Sequence, residues 1–173
     1  MSELFDNITD SKSGLAKLAA KIPGLGEFME ANDRRAADKL LRETLARRIG
    51  EQQRRVSDLQ QQMLSGQGLL LLDDLERVQT NLTTFADSIG TASYGYAGLF
   101  AKVKIDSEEL AKVYDYDNRL FENVEETSTA IDQIQSAIDS GEGLGTAVRE
   151  LNRAARAAVE AFRRREDVFL GIA

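Results

Sequence analysis

The hexapeptide Tyr114-Asp115-Tyr116-Asp117-Asn118-Arg119 places two carboxylates and two phenols within four residues. Such groups can ligate a divalent cation, or do acid–base work where burial shifts a carboxyl's proton affinity. Spacing limits that chemistry. On a helix, carboxylates at i and i+2 point to different faces, so Asp115 and Asp117 do not converge on one ion. Asp117 instead falls on an apolar seam, where a carboxylate needs a partner. The reading that follows is a buried polar layer formed by Asp117 with Tyr114 close by, paired to an arginine or tyrosine of another helix and fixing register. A carboxylate-based metal binder or enzyme centred on Asp117 is the third functional reading.

Other reactive groups are scarce in this composition. The 173 residues include no cysteine and no histidine. That removes disulfides, thiolate nucleophiles, Cys/His zinc sites, Ser-His dyads and the Glu-x-x-His pairs of di-iron bundles. No catalytic residue, metal ligand or cofactor is expected, and the chain reads as non-enzymatic. The stretch SIGTASYGYAGLF, residues 88–100, has three glycines that could suggest a phosphate loop. It lacks the Gly-Lys-Ser/Thr ending and the G-x-G-x-x-G pattern. Leu71, Leu75, Val78, Leu82, Phe85 and Ile89 alternate steps of 4 and 3, and the same register continues through Ala92, Tyr96, Leu99 and Val103. The stretch is therefore expected to be helical, with Gly90, Gly95 and Gly98 serving close packing or a hinge at a cost of about 1 kcal/mol each in helix propensity.

Two charged features could recognise partners. In SKSGLAKLAAKI, Leu15, Leu18 and Ile22 share one face while Lys17 and Lys21 stand off it. Such a leader can lie on an anionic membrane surface or fold back on the body of the protein. Arg149, Arg153, Arg156 and Arg163 recur at helical spacing, and their expected partner is the acidic segment 106–140, which holds ten acidic and two basic residues. A net charge of −7 argues against general nucleic-acid binding.

These residues need helices to position them. Pro23 and two following glycines separate a leader and hinge, residues 1–26, from a body, residues 27–173. The body is expected to form helices over about 27–65, 69–104, 107–140 and 146–169, broken by SGQG and SGEGLG. Leu110, Val113, Asp117, Leu120, Val124, Thr127, Ile131, Ile134 and Ile138 keep one heptad seam. Val148, Leu151, Ala155, Ala158, Phe162 and Phe169 keep another, with Arg165 as its exception. The fold class is all-α: an antiparallel up-down four-helix bundle, or long coiled-coil hairpins, with a short amphipathic helical leader. At 1.5 Å per residue the first body helix is expected to overhang the last, offering a place for association.

The function expected is an intracellular, cytoplasmic scaffold or adaptor, homo-oligomeric or bound to another helical protein, with the Leu69–Leu72 region assisting. The alternative is a peripheral protein at the inner membrane face, held by the leader. The N-terminal MSELFDNITD resembles no signal peptide, because acidic residues interrupt its apolar positions.

Overall fold

The computed structural model describes residues 14–30, 34–102 and 107–169, and their secondary structure is helical with no strand. A first helix, α1, covers residues 14–21. It is followed by α2 (Leu25–Glu30), α3 (Arg34–Met63), a 3-10 helix (Gly66–Leu71), α4 (Leu72–Lys102), α5 (Ser107–Ser140) and α6 (Leu144–Phe169). Gly24, at φ +83°, makes the turn between α1 and α2 that Pro23 begins. Gly141, at φ +75°, ends α5 while its N–H donates to the Ala137 carbonyl at 2.9 Å.

Heptad spacing produces the core. Leu75, Val78, Leu82, Phe85 and Ile89 of α4, Leu120, Val124, Ile131 and Ile134 of α5, and Val148, Leu151, Ala155, Ala158 and Phe162 of α6 are buried in one common core. Phe85 and Phe162 meet edge to face with ring centroids 6.2 Å apart. Ile49, Val56, Leu59 and Met63 supply the stripe of α3. The first body helix expected at 27–65 is divided into α2 and α3, so α3 has 30 residues against 26 for α6. The expected overhang thereby shrinks to about 6 Å at 1.5 Å per residue.

The order of packing differs from a bundle in which each helix neighbours the next. Among the described residues, α3 packs on α4, α4 on α6, α6 on α5 and α5 on α3, while α4 and α5 share no packed face. The cross-links from α3 to α5 run in parallel register: Arg48 to Glu125, Arg55 to Asp132 and Gln62 to Gln135. Two antiparallel hairpins, α3–α4 and α5–α6, thus meet side by side with parallel neighbours. A seam of period 3.5 requires that each stripe be covered and does not specify by which helix.

Candidate interaction surface and the buried charge cluster

The ionic cluster forms where three helices converge. Arg165, the one break in the α6 seam, is buried, and its Nε donates to the carboxylate of Asp117 on α5. Its Nη2 donates to Asp38 Oδ1 on α3 at 3.3 Å, and the other Asp38 oxygen accepts from Arg42 Nε at 2.8 Å. Two carboxylates and two guanidiniums therefore balance in the interior. Burial holds the Asp117 carboxyl above the ordinary carboxylate range, against the opposing pull of Arg165. Asp115 is exposed, so the two carboxylates of the hexapeptide diverge. Tyr114 is half-buried and packs against the apolar core beside Gly14. No group of three His, Cys, Asp or Glu side chains suited to a metal occurs among the described residues.

The leader lies in the groove between α3 and α5. Leu18, Ile22 and Leu25 are buried in the core, Leu15 is half-buried, Lys17 is exposed, and Lys21 is half-buried. Each fully buried aliphatic side chain contributes about 1.5–3 kcal/mol, enough together to hold a short helix in place. Polar contacts fix its ends. Asn118 Nδ2 donates to the Gly14 carbonyl at 2.8 Å, and Arg48 Nη2 donates to the Lys21 carbonyl at 2.8 Å. Lys21 Nζ stands 3.5 Å from Glu125 Oε2, and the Arg48 guanidinium lies 5.1 Å from the centre of the Phe121 ring. Asn118 and Phe121 are buried although they lie off the heptad seam of α5. They form a second covered face, which heptad spacing alone does not announce.

The arginine stripe is arranged differently from the expectation. Arg153 pairs with Glu150 of its own helix at 2.9 Å, and Arg149 donates to Thr146 at 3.0 Å. Arg156 and Arg163 have no ion pair among the described residues. Arg153 also feels the Glu126 carboxylate of α5, as expected, while the ion pairs to the acids of α5 come from Arg48 and Arg55 of α3 and Lys21 of α1. Arg149, Arg156 and Arg163 recur every seventh residue on the exposed side of α6.

The glycines also sort by environment. A Cβ built on Gly90 would meet no described atom within 4 Å. Gly95 and Gly98 belong to α4, but their surroundings lie outside the described residues. The tightest approach among the described glycines is at Gly68, where a Cβ would sit 2.7 Å from the Met63 Cβ.

That approach shapes one end of the molecule. The 3-10 helix folds tightly onto the end of α3, and Leu64, Leu69 and Leu70 remain 63%, 57% and 90% exposed. Phe28 on α2 is the other large apolar side chain exposed among the described residues. Beside the leucines, Met63, Gly68, Ala137, Ile138 and Leu144 line a cleft of about 250 Å³.

Comparison with family models, curated proteins and solved structures gives no match, which leaves function to be read from these residues. No helix among the described residues is long and apolar enough to cross a membrane.

Proposed function

We propose that this chain is a non-enzymatic intracellular scaffold or adaptor that holds a partner helix, from another protein or from a second copy, at the leucine-bearing end of a four-helix bundle. The observation that carries this reading is the exposure of Leu64, Leu69 and Leu70 together beside described heptad-seam residues from Leu75 to Ile89 that are buried. Isolated exposed leucines are ordinary, whereas several gathered at one tip beside an apolar cleft mark an interaction surface. The buried charge cluster and the docked leader support a rigid body behind that surface. The membrane alternative would require Leu18 and Ile22 to leave positions in which they are fully buried.

Solution mass, measured by light scattering with size exclusion, tests self-association. The double variant Leu69→Gln/Leu70→Gln is expected to lower the mass of any oligomer. A monomer that captures no helical peptide at this tip would refute the reading.

A further inference from the structure

We infer that the occupant of the leucine tip is a basic amphipathic helix supplied by a partner protein. This rests on the helix-binding reading above and adds the chemistry of the partner. The tip is apolar at its centre and acidic around it. Asp73 in the first turn of α4, Asp139 in the last turn of α5 and Glu142 in the α5–α6 link are exposed there, and none has an ion pair among the described residues. Two cations stand at this end: Arg77 pairs with Asp74 at 3.5 Å, and Arg149 donates to the neutral Thr146 hydroxyl at 3.0 Å and keeps its charge, so the carboxylates of Asp73, Asp74, Asp139 and Glu142 still outnumber the guanidiniums. An apolar site ringed by uncompensated carboxylates favours a ligand with aliphatic anchors flanked by Lys or Arg.

The same electrostatics weigh against other occupants. A second copy of the tip would set carboxylates against carboxylates, and an anionic bilayer would be repelled by the same rim. The cleft of about 250 Å³ is smaller than the roughly 300–1,000 Å³ that encloses a drug-sized molecule, and suits anchor side chains from a larger ligand. The chain already shows this kind of recognition internally. Its α1 buries Leu18 while Lys21 reaches Glu125 on the acidic helix α5. The tip offers the same pairing of apolar sockets and carboxylates, and no helix among the described residues fills it.

The test uses the full chain and two fluorescent synthetic 18-residue helices of identical leucine pattern, one with Lys and one with Glu at every polar position. Anisotropy titration is expected to show at least tenfold tighter binding of the lysine helix, weakening as salt rises. Leu69→Gln/Leu70→Gln should reduce that binding at least tenfold at unchanged net charge, which separates a seated helix from diffuse attraction. Asp73→Asn/Asp139→Asn/Glu142→Gln should reduce the preference for lysine over glutamate. Equal affinity for the two helices, lost in the leucine variant, would overturn the basic partner and leave the helix-binding reading standing. Binding of neither helix, or binding of the lysine helix indifferent to the leucine variant, would overturn both. Flotation with vesicles containing phosphatidylglycerol, abolished by the leucine variant, would assign the tip to membrane and overturn the proposal.

Discussion

At the scale of single residues, Arg165 organises the interior, and its removal has a calculable direction. Arg165→Met leaves Asp117 buried without its guanidinium, and loss of one partner of a buried ion pair costs about 3–5 kcal/mol. Urea unfolding of the variant is expected to show a loss of that size. Arg165→Met/Asp117→Leu should recover much of it, because the remaining Asp38 keeps Arg42 at 2.8 Å. Asp117 also gives a pH signature. Its folded-state proton affinity is raised by burial, so the folded chain binds that proton more tightly than the unfolded chain. The stabilising contribution is complete below the unfolded value near 3.9 and is lost as pH rises through the folded-state value. In Asp117→Asn that term is absent. The stability of wild type minus variant should therefore increase as pH falls from 7 toward 4, and a difference that shrinks instead would contradict the burial of a protonatable group here. The sequence makes this cluster half legible: Asp117 and Arg165 both interrupt apolar seams, but Asp38 lies off them and its part appears only when α3 is placed.

Among the elements, the long helices are readable because steps of 3 and 4 persist over many turns, and the seam residues from Leu75 to Ile89 are buried as that spacing requires. What periodicity does not report is a second face. Asn118 and Phe121 cover the leader, a tertiary contact 104 residues apart in the case of Asn118 and Gly14. Leu18→Asp should undock α1, since an unpaired carboxylate would enter a fully buried site. Faster tryptic cleavage after Lys17 or Lys21, with the remaining body intact, is the expected readout. Two glycine substitutions separate close packing from simple helix propensity. Gly90→Ala adds a methyl that meets no described atom within 4 Å and should stabilise α4 by up to about 1 kcal/mol. Gly68→Ala drives a Cβ to 2.7 Å from that of Met63 and should destabilise the chain by about 1–3 kcal/mol. Thermal unfolding of the two variants should thus move in opposite directions, although both are the same change in composition.

For the whole molecule, the all-α class follows from the sequence, whereas the division of the first body segment into α2 and α3 does not, and the arrangement of parallel neighbours α3/α5 and α4/α6 depends on side chains that join separate helices. Arg55 reaches Ser128 at 2.8 Å and also pairs with Asp132, while Gln62 and Gln135 exchange hydrogen bonds at 3.1 Å. These contacts select which stripe covers which, so they set the face that each end of the molecule presents. At the leucine end, the apolar groups left outside are not needed to hold the body together. Leu70, at 90% exposure, has nearly all its surface in water already, and its replacement by a polar residue removes little buried area. Leu69→Gln/Leu70→Gln should consequently change unfolding free energy by no more than about 0.5 kcal/mol per site, as for surface substitutions generally. Core truncation at Leu75 or Phe162, both buried, should instead cost about 2–5 kcal/mol. Parallel urea titrations of the three variants distinguish a surface kept for association from one that supports the fold. A loss of several kcal/mol in the tip variant would mean that the leucines belong to the core of the chain, and the tip would then have no claim as a docking surface.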